Sequence, residues 1–441
     1  MVKVITYGTY DMLHYGHIRL LERARELGDY LIVGVTADDF DRSRGKINVE
    51  QSLAERMEGV RATGLADEII VEEYEGQKID DIQRYDIDIF TVGSDWRGHF
   101  DYLNDYCRVV YLDRTEGISS TEIRSKQQKL QVAFVGSGPV LDKYLSESSL
   151  VNGMINAGRL ATDSVFARAK TEFDRVLARA DALFLATHPD GHYDEILYAL
   201  QKDVHVLCES PIAKTEAQAK HLYQIAREHG LVLMDAIKTA HAMAYSRLVL
   251  LVKSGVIGRV VSIDANCSGM SGLYLGSDSG HAAQGALDYW GPTAFLPIVQ
   301  LLGNSFNSER YAVIEDEEKG RLDVFVRGSF SFKNAVASFK VGRSVKTEGE
   351  LVISGTKGYV YVPAPWWKTD YFEIRYESSD DNRRYFYQLD GEGIRNQLSV
   401  FTRSVERGFS LQGVSEFDSI AIARMFERAG NPEFSIRINL L

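Results

Sequence analysis

Two histidines, His14 and His17, follow the turn-forming run Gly8-Thr9-Tyr10-Asp11 and enclose Tyr15-Gly16. An apolar stretch from Val2 to Tyr7 precedes them, and Ile18, Leu20, Leu21 and Ala24 recur at helical spacing behind them. The pattern predicts a buried strand, a turn and a helix. The histidines then stand at or just inside a helix N-terminus, where N–H groups and the helix dipole favour anions. Two imidazoles there can donate to one phosphate. When the acceptor is itself a phosphate no protein nucleophile is needed, so the chemistry expected is transfer at an α-phosphorus through positioning and charge stabilisation. Later in the chain, Arg114-Thr115-Glu116-Gly117-Ile118-Ser119-Ser120-Thr121 follows the strand-like run Arg108 to Leu112. A second helix start is predicted over Ile118 to Ser125, and its hydroxyls and amides make a second anion-friendly turn. Two such turns can clamp one triphosphate. Lys46, in the basic stretch Arg42-Ser43-Arg44-Gly45-Lys46, and Arg56 carry charge that a reacting phosphorus needs.

The elements that must position these groups are those of a multidomain α/β chain. Its 441 residues exceed one small core and suggest two or three domains. Apolar residues make up 45% and charged residues 25%, as in ordinary globular proteins, and no run approaches the ~18 apolar residues of a membrane span. The opening MVKVITYG reads as a first strand and not as a signal peptide, so a cytoplasmic location is expected. Cys107, Cys208 and Cys267 lie far apart without CxxC spacing, so neither a zinc site nor a disulfide framework is indicated. A net charge of −12 argues against general nucleic-acid binding.

Residues 1 to about 126 resemble the cytidylyltransferase family, most closely the glycerol-3-phosphate cytidylyltransferases. The resemblance rests on "ITYGTYDMLHYGHIRLLERARELGDYLIVGV", "VGSDWRGHFDYL" and "VVYLDRTEGISSTEIRSK", three motifs in order. It implies CTP and a divalent metal, Mg2+, as reaction partners, and a small alcohol or polyol phosphate as acceptor, with pyrophosphate released. It also implies roles for matching positions: Thr9, His14 and His17 on the triphosphate, Asp11 at the turn, Arg114, Thr115 and Ser119 on base and phosphates, and Lys46 closing over the reacting phosphates. Gly8, Tyr10, Gly16, Asp95, Gly117, Ile118 and Thr121 complete the expected nucleotide site. One position departs from the family, since Gly64 stands where an arginine is usual, which puts the acceptor contacts in question.

After the polar stretch Ser125 to Leu130, Val132 to Val135 reads as a new buried strand ending in Gly136-Ser137-Gly138. Strands near Ala182 to Ala186, His205 to Cys208 and Val232 to Met234 alternate with helices over Tyr193 to Ala199 and Glu216 to His229. That order predicts a doubly wound parallel sheet. The dinucleotide fingerprint is incomplete, because Leu141 replaces its third small residue, and Asn156 stands where a ribose-binding carboxylate is expected. A Rossmann-like scaffold that binds no dinucleotide therefore stays open.

"ALFLATHPDGHYDEI", "VHVLCESPIAKT", "GLVLMDAIKTAHAMAYSRL", "SGVIGRV" and "GALDYWGPTAFLPIVQLLG" resemble the Gfo/Idh/MocA oxidoreductase family over residues 130 to 441. The resemblance implies an NAD(P)-binding domain over 130–240. It also implies an α/β domain over 241–441 whose open antiparallel sheet covers a sugar or polyol site and often mediates oligomerisation. The strand-rich tract Leu322 to Tyr376 suits that sheet. Gly136, Gly138, Thr187, His192 and Glu209 are the expected cofactor contacts. The family's usual Glu-Lys-Pro is here Glu209-Ser210-Pro211, and Gly291 is followed by Thr293 and Leu296 where a histidine or tyrosine and an aspartate are usual. Reducing a ketone needs a proton donor within hydrogen-bond reach. Lys238, His241, Tyr289 and His192 are the candidates, with Lys238 first because it follows a strand at the sheet edge where α/β sites lie. The whole reads as a cytidylyltransferase fused to an oxidoreductase-like region. That region reduces a keto-sugar phosphate to the polyol phosphate the first unit activates for a surface polysaccharide, or oxidises the CDP-linked product, or serves as a binding and dimerisation module.

Overall fold

The computed structural model describes residues 1–38, 49, 51–74, 76–113, 129–270, 284–317, 322–387, 389–409 and 413–440. The chain divides into two compact units, Met1–Gln128 and Lys129–Leu441.

In the first unit, β1 (Lys3–Gly8), β2 (Tyr30–Thr36), β3 (Glu68–Glu72), β4 (Ile89–Gly93) and β5 (Arg108–Leu112) form a parallel sheet in the order β3-β2-β1-β4-β5. Helices α1 (Tyr15–Arg25), α2 (Leu53–Ala62) and α3 (Gln77–Tyr85) connect them. The run Val4-Ile5 shows why the strand is apolar without alternation. Val4 packs with Leu21, Leu31 and Val33 on one face, while Ile5 packs with Ile32 and Phe90 on the other. A parallel sheet covered on both faces needs apolar residues on both. The strand order reverses at β1, which leaves the ends of β1 and β4 open for a ligand.

The second unit opens with another parallel sheet, built from β6 (Leu130–Gly136), β7 (Met154–Ala161), β8 (Ala182–Ala186), β9 (His205–Glu209) and β10 (Leu233–Ala236) in the order β10-β9-β8-β6-β7. Its principal helices are α4 (Gly138–Ser148), α5 (Pro189–Leu200) and α6 (Glu216–Glu228). The predicted strands and helices of this region match these elements within a few residues. The position of Asn156 does not. Asn156 pairs with Val132 near the beginning of β7, and Gly158 pairs with Ala133 across a register shift. The Asn156 side chain accepts the Gly158 N–H at 2.9 Å, which stabilises that bulge. Asn156 is therefore a strand residue, and the strand's C-terminal end is Ala161.

Among the described residues, nine further strands form one sheet: β11 (Val260–Gly269), β12 (Ser308–Asp316), β13 (Leu322–Ser331), β14 (Val336–Arg343), β15 (Leu351–Gly355), β16 (Tyr359–Val362), β17 (Tyr371–Arg375), β18 (Arg383–Phe386) and β19 (Ser435–Leu440), in the order β18-β17-β16-β15-β11-β14-β13-β12-β19. The sheet is antiparallel except where β11 meets β14 and β12 meets β19. It packs against α7 (Met243–Lys253), α8 (Ala286–Leu302) and α10 (Glu416–Gly430) through a core containing Phe295, Phe339, Tyr311 and Trp366. Helix α9 (Ile394–Arg407) returns to the parallel sheet, and its Ile394, Leu398 and Phe401 share a core with Val132, Phe134 and Phe184. This return of the chain joins the two sheets in one unit.

Candidate active sites

In the first unit, His14 is the N-cap of α1. Its Nδ1 accepts the Gly16 N–H at 3.1 Å, while His17 Nδ1 accepts the His14 N–H at 3.4 Å, forming a reciprocal capping box. With both Nδ1 lone pairs used as acceptors, each neutral ring carries its proton on Nε2, the donor a phosphate oxygen requires. The rings stack at 3.9 Å and 23°. The histidines thus help build the anion-favouring helix end that they serve.

The remaining sequence candidates separate into three groups. Gly8 closes β1 and Gly16 lies in the first turn of α1. Asp95 is exposed in a 3-10 turn after β4. Thr9 and Asp11 anchor the turn: the Thr9 carbonyl accepts from Arg56 at 2.7 Å, and buried Asp11 accepts the Gln51 N–H at 2.9 Å. Tyr10 differs from expectation. It is 2% exposed at φ 52, with its ring beneath Gly8 and edge-on to His17 at 5.6 Å, so its side chain is core and only its backbone belongs to the turn. Lys46, Arg114, Thr115, Gly117, Ile118, Ser119 and Thr121 lie outside the described residues.

Arg56 also corrects the sequence reading. It is fully buried, donating to the carbonyls of Thr9, Thr36 and Gln51 and pairing with Asp38. A guanidinium with these commitments ties together the loops that leave β1 and β2, rather than meeting a phosphate. Gly64 takes φ +67 after α2, a left-handed turn that an arginine adopts only with strain. Sequence reasoning missed the buried Glu72–Lys78 ion pair at the end of β3, which receives a hydrogen bond from Thr36 Oγ1 at 3.0 Å. Its signal was the pair Glu72-Glu73 directly after the apolar run Ile69-Ile70-Val71.

In the second unit, a cavity of about 620 Å³ opens above the C-terminal ends of β6, β8, β9 and β10. Gly138, Thr187, His192, Glu209 and Lys238 line it from the parallel-sheet side, and Tyr289, Arg343, Trp367 and Lys368 from the other. Gly136 lies behind the wall at φ +153, where a Cβ would come within 2.4 Å of the Ala186 carbonyl. Gly138, at φ +72, has open space where a Cβ would be, so ligand can approach its backbone. Pro139 removes one N–H donor from the start of α4, and Leu141 at the third small position is wholly buried core. Asp163, two residues beyond β7, lines the cavity and carries the carboxylate that the sequence reading sought at Asn156. This loop, open helix start and strand-end carboxylate suit the phosphates and ribose of a dinucleotide.

The candidate proton donors differ in setting. His192 is fully buried between the carbonyls of Pro211, at 2.8 Å, and Thr187, at 3.1 Å. Burial pushes its pKa down to about 4 despite both contacts, which suits a neutral packing residue. Thr187 bonds the buried Glu195. His241 is buried against Gly413. Tyr289 is exposed beneath the Arg343 guanidinium at 4.8 Å. Lys238 follows β10, lines the cavity and pairs with Glu392 at 2.5 Å. Glu209 is pushed up to about 7 by withdrawal from solvent, against the opposing charge of Lys238 and a hydrogen bond with Tyr144. A carboxyl titrating near neutrality therefore lies beside a cavity lysine.

A family model described as cytidylyltransferase-like matches residues 5–126. The glycerol-3-phosphate cytidylyltransferase of Bacillus spizizenii is 50% identical over 130 residues, covering 30% of this chain and 100% of that protein. The enzyme of the same description from Staphylococcus aureus is 50% identical over 128 residues, covering 29% and 95%. The chain belongs to the cytidylyltransferase family. Beyond this cytidylyltransferase unit, residues 130–236 match a model described as an oxidoreductase family with an NAD-binding Rossmann fold. Among solved structures, a 3-ketoreductase from Actinomadura kijaniata in complex with NADP and TDP-benzene superposes with a TM-score of 0.60 at 18% identity, over 71% of this chain and 100% of that one. Levoglucosan dehydrogenase in complex with NADH and levoglucosan gives 0.54 at 19% identity, over 68% and 96%. At these identities the likeness is one of fold. The chain is thus a cytidylyltransferase-family unit fused to an oxidoreductase-family unit.

Proposed function

We propose that the first unit transfers the cytidylyl group of CTP to a polyol phosphate, with Mg2+, releasing pyrophosphate. We further propose that the second unit is an NAD(P)H-dependent reductase that makes the polyol phosphate from its keto precursor, the CDP-polyol product serving a surface polysaccharide. The observation that carries the first half is the His14–His17 capping box in a unit half identical to glycerol-3-phosphate cytidylyltransferases. In that reading the nucleotide contacts include Lys46, Arg114, Thr115, Gly117, Ile118, Ser119 and Thr121. The second half is supported by the Gly138–Asp163 wall of the cavity and by Lys238 at its edge. The reduced cofactor, when bound, supplies a hydride to the carbonyl carbon. Lys238 Nζ supplies the proton to the carbonyl oxygen, in place of the lysine that Ser210 replaces.

Cofactor binding is tested by thermal unfolding of the full chain. NADPH or NADH at about a hundred times its dissociation constant stabilises the folded second unit by about 2.7 kcal/mol. An unchanged melting curve at millimolar concentrations of both cofactors supports the second reading, a binding and dimerisation module, which Leu141 at the third small position favours.

A further inference from the structure

Three lysines of the second unit converge on one carboxylate. Glu392 is contacted by Lys238 at 2.5 Å, Lys368 at 2.7 Å and Lys143 at 3.2 Å. Lys143 comes from α4, Lys238 follows β10, and Lys368 lies in a turn before β17. All three line the cavity. The three ammonium groups share this one carboxylate, and Glu209, which the Lys238 charge also reaches, is pushed up to about 7, so positive charge exceeds negative here. Lys143 is exposed, while Lys238 and Lys368 are partly withdrawn from water, where like charges repel more strongly than in bulk solvent. Partial burial pushes the Glu392 carboxyl up, but the lysine hydrogen bonds and the Lys238 charge outweigh this and hold it at about 2.

Glu392 itself sits in a left-handed backbone conformation, φ 54, between Gly391 at φ 58 and Gly393 at φ 86. A glutamate held this way is a backbone outlier that its surroundings must enforce. Gly393 has close neighbours: a Cβ there would lie 2.4 Å from the Lys238 carbonyl. It is also the N-cap of α9, a 14-residue helix with no side-chain cap and no acidic residue in its first turn, and Ile394 at that end lines the cavity. The positive end of α9 and the surplus lysine charge therefore meet at the same wall.

We propose that Lys143 and Lys368, with the N-terminus of α9, form a subsite for a phosphate monoester, and that the Glu392 carboxylate holds this place until the dianion displaces it. A dianion matches the two charges of Lys143 and Lys368 that it meets there. Its entry frees Lys238 from Glu392, placing the lysine next to the ligand carbon chain. The inference deepens the reading of the second unit as acting on a keto phosphate, and it rests on that reading only for the identity of the ligand.

The test is titration calorimetry of the full chain with inorganic phosphate at constant ionic strength, on wild type and on Glu392→Gln, Lys368→Ala and Lys143→Ala. Phosphate taken up by the cytidylyltransferase unit is common to all four proteins and cancels in the comparison. Glu392→Gln keeps shape and removes the competing charge, so it tightens phosphate binding about tenfold or more, while each lysine variant weakens it by a similar factor. Ribitol, which lacks the phosphate, binds all four alike. Equal phosphate affinity across the set, or weaker binding in a folded Glu392→Gln, overturns the proposal. Variant-dependent phosphate binding in a protein that oxidises no NADPH removes the redox reading and keeps the subsite. NADPH oxidation with phosphate affinity indifferent to these changes removes the subsite alone.

Discussion

His17→Ala lowers kcat for CTP-dependent pyrophosphate release at least a hundredfold, about 3 kcal/mol of lost transition-state stabilisation, in a protein that still folds. His17 Nδ1 accepts the His14 N–H, so its proton lies on Nε2, and alanine removes a donor fixed in place by stacking on His14 and by the edge of Tyr10. A donor held in this way gives more to a charge that develops during reaction than a mobile one, because it needs no reorganisation. The structural loss is smaller. One half of a capping box contributes about 1 kcal/mol, and the Gly16 N–H still has His14 Nδ1 as its acceptor. Measured kcat and melting temperature separate the effects: turnover within tenfold of wild type would contradict the role given to His17.

Lys238→Met removes keto-phosphate reduction by about 10²–10⁴-fold, the range expected for loss of a positioned general acid. Methionine keeps an unbranched stem while removing the ammonium, and Glu392 retains Lys143 and Lys368 as partners. Stabilisation by NADPH should therefore be unchanged, because the cofactor loop at Gly138 and the carboxylate of Asp163 lie on other elements. A fall in kcat with the cofactor-induced melting shift intact identifies a role in proton delivery. A variant that reduces substrate at the wild-type rate assigns the proton to another group, with Tyr289 the next candidate in the cavity.

Much of this architecture was legible because parallel strands buried on both faces are uninterrupted apolar runs. Arg108–Leu112 and Ala182–Ala186 are seen in the sequence with the bounds they have in the fold. The histidine pair was legible because its spacing falls at the first turn of a helix. Arg56 was misread because a basic residue in a polar segment gives no sign that three backbone carbonyls will surround it. Tyr10 was misread because a positive φ turns its side chain back into the core, and nothing in a glycine-threonine-tyrosine run announces that reversal. Asn156 was misplaced because nothing in the sequence shows that the strand runs on past it to Ala161. The Lys143–Lys238–Lys368 cluster was invisible as a cluster, since its members are far apart in the chain and only Lys238 had a strand end to mark it.

The most direct measurement is pyrophosphate release with CTP and magnesium against glycerol, erythritol, ribitol, arabinitol and mannitol phosphates, each repeated with the matching keto phosphate, with and without NADPH or NADH. One polyol phosphate is expected to react alone, and its keto counterpart only when reduced cofactor is present and consumed. Pyrophosphate release from no member of the panel would contradict the assignment of the first unit, and release without any consumption of reduced cofactor would contradict the coupling of the two.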